Sequence, residues 1–234
     1  AVGTGDKTAP NSGTSFSGPI TAGAAALLRQ ALPNRTSQEI KATLMNTANP
    51  LVYDLPAGHP NAKLAPISAM GAGLVDVEKA VKLPVAAWVE DTTFDTQQAA
   101  LSFGLMNLTK TTTVKKTVTV KNFGTVARTY FLRIEDRFAA DTATGALSWA
   151  YPASVTIEPG KVATFDVSLT INPTKLPAWG LENTTVTAEK DAALTKVEYD
   201  GFLVFNDLTE KGPSDLHLPY HVIPKAVAEL SVQN

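Results

Sequence analysis

The stretch Gly18-Pro19-Ile20-Thr21-Ala22-Gly23-Ala24-Ala25-Ala26-Leu27-Leu28 reads as a helix with almost no bulky side chains. A helix so built can lie tight against a sheet on nearly every side, so it is expected as the buried core helix of a larger domain. Just ahead of it stand Asn11-Ser12-Gly13-Thr14-Ser15-Phe16-Ser17. Gly13 lets the backbone turn sharply and lets another molecule approach closely. Ser15 then falls beside a helix N-terminus, where unpaired N–H groups and the positive end of the dipole face outward. An oxyanion forming on a carbonyl would be stabilised there, with the Ser15 amide as one donor. Pro19 is expected in the first helical turn, which has no use for its missing N–H.

This stretch resembles the nucleophile motif of the subtilisin-like serine proteases, Gly-Thr-Ser-Met-Ala-x-Pro followed by Val-Ala-Gly. Gly13, Thr14, Ser15, Pro19, Ala22 and Gly23 match it, whereas Phe16, Ser17 and Thr21 stand where methionine, alanine and valine are usual. The resemblance implies that Ser15 is the catalytic nucleophile, with Gly13 and Thr14 forming the nucleophile turn and the Ser15 backbone contributing to the oxyanion hole. A serine capping a helix is the plain alternative for a bare Gly-Thr-Ser. Phe16 in place of an oxidisable methionine implies tolerance of peroxide.

Two later segments extend the resemblance. Thr36 and Glu39 are spaced as a capping box, with Ile40, Leu44 and Met45 as an apolar stripe, in a segment like the family's next helix. Met70-Gly71-Ala72-Gly73-Leu74-Val75-Asp76, running on to Val81, is similar to its closing Gly-x-Gly turn and last short helix.

A serine hydroxyl is a weak nucleophile until a base takes its proton. The family orders its triad Asp, His, Ser along the chain. No histidine precedes Ser15, and neither Asp6 nor Asn11 matches the family's distant aspartate or oxyanion asparagine. The chain is therefore expected to be the C-terminal piece of a longer protease, inactive alone. Ser, Asp, His order, as in an α/β-hydrolase, requires Gly-x-Ser-x-Gly, but Ser17 occupies the last position. His59 is expected in a loop, and His217 and His221 on one face of a strand.

The residue pattern changes near Leu83-Pro84. Beyond it Thr113 to Lys121 alternates, with Val114, Lys116, Val118 and Val120 on one side. Tyr130, Leu132 and Ile134 alternate next, then Val155 and Ile157, and Phe165, Val167, Leu169 and Ile171 form the clearest inward row. Phe202 to Phe205 and Leu216 to Val222 follow, with turns at Asn122-Phe123-Gly124 and Glu158-Pro159-Gly160. About seven strands separated by turns predict an antiparallel β-sandwich. Leu101-Ser102-Phe103-Gly104, Val118 to Gly124, Gly201 to Val204 and Leu218-Pro219-Tyr220 resemble the fibronectin type III-like domain that follows the catalytic domain in many subtilisin-like proteases. The expected fold is thus α/β for residues 1–83, the C-terminal part of a peptidase domain, followed by an all-β antiparallel sandwich over 84–234. Its expected role is a rigid spacer.

Hydrophobic residues make up 44% of the 234, ample for a core, and the net charge of −2 gives no reason to expect nucleic acid or an anionic membrane as partner. No apolar run approaches the roughly 18 residues of a membrane helix. With no cysteine, disulfides and thiol chemistry are excluded. The sequons at Asn34, Asn107 and Asn183 are of a kind that chance supplies often. The resemblance implies secretion or a cell-envelope location, protein or peptide substrates and completion by the missing N-terminal part of the catalytic domain, and it allows bound calcium, with no ligand set readable. The rival from another class is a non-catalytic pseudoprotease or adhesion module.

Overall fold

The computed structural model describes residues 13–55, 58–91, 96–179, 197–209 and 214–228. Asp6, Asn11 and Asn183 lie outside them. The described residues begin with helix α1 (Thr14–Ala31) and α2 (Ser37–Thr47), then the short α3 (Ile67–Met70) and α4 (Val77–Lys82). The strands follow: β1 (Val85–Asp91), β2 (Thr96–Gln98), β3 (Leu101–Leu108), β4 (Thr112–Asn122) and β5 (Arg128–Asp136). After α5 (Ala139–Ala143) come β6 (Leu147–Ala150), β7 (Ser154–Ile157), β8 (Val162–Ile171), β9 (Tyr199–Asp207) and β10 (Leu216–Ala226).

The strands make two five-stranded sheets, ordered β2-β1-β4-β8-β6 and β3-β10-β9-β5-β7. Val118, Val120 and Val167 of the first sheet meet Tyr130, Leu203, Phe205 and Tyr220 of the second in one buried core, a sandwich-like arrangement. The inward row expected on β8 is present: Val167, Leu169 and Ile171 are fully buried and Phe165 packs against the core. Two expectations need correction. The described strands number ten, not about seven. The second sheet is not purely antiparallel, because β3 pairs parallel to β10, from Leu101 opposite Tyr220 to Leu108 opposite Ala226. A parallel pair cannot be closed by a hairpin, and β3 instead feeds β4 in the other sheet.

The helices rest on the sandwich mainly through α2, with the short α3 touching β10. The Thr36–Glu39 capping box forms as the spacing predicts, with the Glu39 amide donating to Thr36 Oγ1 at 3.2 Å and the Thr36 amide to Glu39 Oε2 at 2.7 Å. Ala42 packs against Ala86 and Trp88 of β1. Asn46, fully buried, accepts the Ala87 amide at 2.8 Å and donates to the His217 carbonyl at 3.0 Å. Arg35 holds the loop side: its guanidinium donates to Thr43 Oγ1 and to the Leu83 carbonyl and lies 4.2 Å over the Phe123 ring. Lys121 of β4 pairs with Glu39 at 2.7 Å.

Gly73 shows why the Gly-x-Gly turn is glycine. Its φ is +124°, and a Cβ there would sit 2.2 Å from the Asn49 carbonyl oxygen. The close approach lets residues 49 and 74 exchange two backbone hydrogen bonds, at 2.7 and 2.9 Å.

Candidate active site

Helix α1 begins at Thr14, with Gly13 as its N-cap in a positive-φ conformation (φ 150°, ψ 158°) that L side chains rarely adopt, and with no side-chain cap. Ser15 therefore occupies the second helical position and is not the capping residue. The amides of Phe16 and Ser17 turn back to the Gly13 carbonyl at 3.0 and 3.3 Å. Those of Thr14 and Ser15 have no acceptor among the described residues, as the first turn of any helix leaves donors free. Ser17 and Thr21 bond their hydroxyls to backbone carbonyls of α1. Ser15 Oγ has no such partner among the described residues, and Ser15 is exposed. Hydroxyl and free amides thus share one exposed turn, the arrangement in which a nucleophile and an oxyanion donor serve the same carbonyl.

Pro19 corrects one expectation. It sits in the second turn of α1, where its missing N–H leaves the Ser15 carbonyl without the usual donor four residues on. The burial of α1 is a second correction. Only Ala24 and Leu28 are buried; they join Ile40, Leu44 and Ala80 in a small three-helix cluster. Ile20 is 63% exposed and Leu27 55%. Helix composition fits tight packing, but the described sheets lie against α2 and do not cover the outer face of α1. A groove of about 700 Å3 runs between α1 and α2, lined by Thr14, Ser17, Ala22, Ala25, Ile40 and Met45.

None of the histidines is brought to Ser15 by a described contact. His59 lies exposed in a loop and accepts the Asn61 amide on Nδ1 at 3.2 Å. His217 and His221 are both on β10, as the sequence predicts. His217 is buried, with Nε2 3.3 Å from the Ala72 carbonyl, and burial pushes its pKa down to about 4. His221 pairs with Glu198 at 2.8 Å. His217 also borders a cleft of about 310 Å3 between Pro50–Leu51 and the outer face of the second sheet. Within the cleft Arg133 pairs with Glu135 at 2.5 Å and donates to Asn206 Oδ1 at 3.1 Å.

Among the described residues no group of three or more His, Asp or Glu side chains is placed to hold a metal ion. Among the same residues no helix is long and apolar enough to cross a membrane. The sequence reading missed the carboxylates Asp136, Asp141, Glu198 and Asp200, which converge between β5, α5 and β9. Their positions are scattered along the chain with no shared period, so no local pattern pointed to them.

The sequence has relatives among known proteins. The family model described as the subtilase family matches residues 3–102, which reach through α1, α2, α3, α4, β1 and β2. The chain thus carries a subtilase-like region. The minor extracellular protease Vpr of Bacillus subtilis (strain 168) is 26% identical over 186 residues, 79% of this chain and 20% of that protein. The chain spans about a fifth of the length of this curated relative. Among solved structures, the FixG-related protein from Vibrio parahaemolyticus is 16% identical, with 61% of this chain and 97% of that one covered at a TM-score of 0.36. The ASH/PapD-like domain of human CEP192 is 13% identical, with 63% and 87% covered at 0.36. The secreted serine protease VesC from Vibrio cholerae is 10% identical, with 53% and 21% covered at 0.32.

Proposed function

We propose that the chain is part of a secreted serine endopeptidase of the subtilisin-like kind, with Ser15 as its nucleophile. Ser15 Oγ attacks a peptide carbonyl, a base takes the hydroxyl proton and passes it to the departing amine, and water releases the acyl group. The Ser15 amide serves as one oxyanion donor. The base, its orienting carboxylate and a second donor come from a segment outside this chain, which also covers α1 along the groove beside α2. The observation that carries this reading is the exposed Ser15 hydroxyl on the same turn as the Thr14 and Ser15 amides, all three without a partner among the described residues, inside the region the subtilase family model matches.

Residues 1–83 are assigned to the peptidase part and 84–234 to a fibronectin type III-like spacer that buttresses it. Protein or peptide substrates and an extracellular location follow from the same reading. In subtilisin itself, loss of the triad histidine lowers turnover on the order of a million-fold, so this chain alone is expected to leave casein uncleaved. The full-length protein is expected to cleave it, and Ser15→Ala to abolish that activity while keeping the wild-type melting temperature. Undiminished cleavage by Ser15→Ala rejects the assignment; a full-length protein that cleaves nothing favours the pseudoprotease.

A further inference from the structure

The cleft on the outer face of the second sheet has a floor laid out by strand register. Leu132 and Leu203 point into the core, so Arg133 of β5 and Val204 of β9 point out. Val204 stands opposite Arg133 on one side and His217 of β10 on the other. Phe202, one step along on the same face, stands opposite Glu135 and Pro219, and Asn206 lies one step the other way. Phe202 and His217 are buried and meet edge to face, with ring centroids 4.7 Å apart. Val204, Arg133 and Asn206 are only partly covered.

A fixed roof overhangs this floor. Residues 50–54 and 63–65 are bonded across to one another, the Ala65 amide to the Val52 carbonyl at 2.9 Å and the Asp54 amide to the Lys63 carbonyl at 3.0 Å. Arg137 fastens both runs, donating to the Pro50 and Ala65 carbonyls at 2.8 Å and to that of Val52 at 3.0 Å. Leu51 and Leu64 border the gap of about 310 Å3 that remains, and Leu51 is still 64% exposed. A gap at the small end of ligand sites holds one apolar side chain with its own backbone.

One charge around the gap is left over. Arg133 is taken by Glu135 and Asn206, and Arg137 by the roof carbonyls. Asp136 accepts the Tyr220 hydroxyl, and Asp215 accepts the Asp207 amide at 2.7 Å and Asn206 Nδ2 at 3.2 Å. Lys79 of α4 lines the same gap, near enough for its charge to act on His217, and its ammonium has no hydrogen bond or ion pair among the described residues. Its root is set, because the Lys79 amide donates to Asp76 Oδ1 at 2.9 Å. A partly covered cation without a partner, beside an apolar floor and roof, is complementary to a carboxylate on an apolar body. We propose that this cleft binds the C-terminal residue of a peptide when that residue is apolar: its carboxylate pairs with Lys79, and its side chain lies on Val204 under Leu51 and Leu64. No lining residue belongs to α1, so the site is separate from the turn that carries Ser15.

Photo-crosslinking tests this on the full-length protein carrying Ser15→Ala, so that no probe is cleaved and the outcome is independent of the reaction at Ser15. The probe is N-acetyl-Ala-Ala ending in a diazirine analogue of leucine, as the free acid and as the C-terminal amide. Peptide mass spectrometry is expected to find the adduct of the acid on Leu51, Leu64 or Val204. Labelling there is expected to be about threefold or more weaker with the amide, and to fall as far in Lys79→Gln, whose melting temperature stays that of the parent. Leu51→Ser, at an exposed position, is expected to weaken labelling likewise. Unlabelled N-acetyl-Ala-Ala-Leu is expected to displace the probe, and free leucine is not. Adducts found only elsewhere, equal labelling by acid and amide, or undiminished labelling of Lys79→Gln overturns the proposal. Displacement by free leucine as effective as by the peptide overturns the peptide terminus as occupant.

Discussion

Asn46 Nδ2 donates to the backbone carbonyl of His217 at 3.0 Å, joining the second helix to the last strand across 171 positions of sequence. Its Oδ1 takes the Ala87 amide at 2.8 Å, so one carboxamide serves both sheets. Removing it strands a buried donor and a buried acceptor at once. Asn46→Ala is expected to lower stability by about 2–4 kcal/mol. Urea denaturation checks this, and an unchanged midpoint would show the two backbone groups finding other partners.

Gly201 on β9 leaves no room for a side chain. A Cβ there would lie 2.3 Å from the Glu135 carbonyl oxygen and 2.7 Å from the Tyr220 ring. The first neighbour is backbone of the paired strand β5 and cannot rotate away. Gly201→Ala is expected to cost about 1–3 kcal/mol, read as a lowered melting temperature. A wild-type melting curve would mean the sheet shifts freely at this point.

These two contacts mark how much of the fold was legible in the chain. Local signals were: Thr36 and Glu39 announce a capping box, and Phe165 to Ile171 announce an inward row, because both devices act within a few residues. The partner of β3 was not legible. Leu101–Leu108 carries Gly104 at φ 68° and a broken burial pattern, and its parallel neighbour β10 lies over a hundred residues away. The exposure of α1 illustrates another limit, since Ala22 to Ala26 state that close packing is possible but not what supplies the packing surface. At the site, Ser15 and the free first turn followed from Gly13-Thr14-Ser15 and the helix behind them. Asp141 and Asp200 did not, because a cluster of carboxylates exists only after β5, α5 and β9 have met.

His217 sets an acid limit on stability. Burial holds its pKa near 4, below the unfolded value of 6.5. The unfolded chain therefore binds the extra proton first, and the His217 contribution to stability is full above about pH 6.5 and lost as pH falls toward about 4. The difference in unfolding free energy between wild type and His217→Gln is expected to shrink across that window as acid is added. A difference that stays constant would contradict the assignment. Taking the difference removes the opposite trend of Asp141 and Asp200, which burial pushes up to about 7 and about 6.

Arg35 is expected to resist conservative replacement. Burial lowers its pKa to about 10, so it stays cationic at neutral pH, bonded to Thr43 and Leu83 and stacked on Phe123. An ammonium lacks the planar fork needed to do all three. Arg35→Lys is expected to cost about 1–3 kcal/mol, and Phe123→Leu to lose the stacking part of that, about 0.5–2 kcal/mol. A double-mutant cycle measures their coupling, and simple additivity would show the stacking to be idle.

The account turns on Ser15 as nucleophile. A serine-directed phosphonate probe, applied to the full-length protein and followed by peptide mass spectrometry, tests it most directly. The expected result is a single adduct on Ser15, with none on this chain alone or on Ser15→Ala. A full-length protein that hydrolyses casein while carrying the adduct on a different serine would contradict the account.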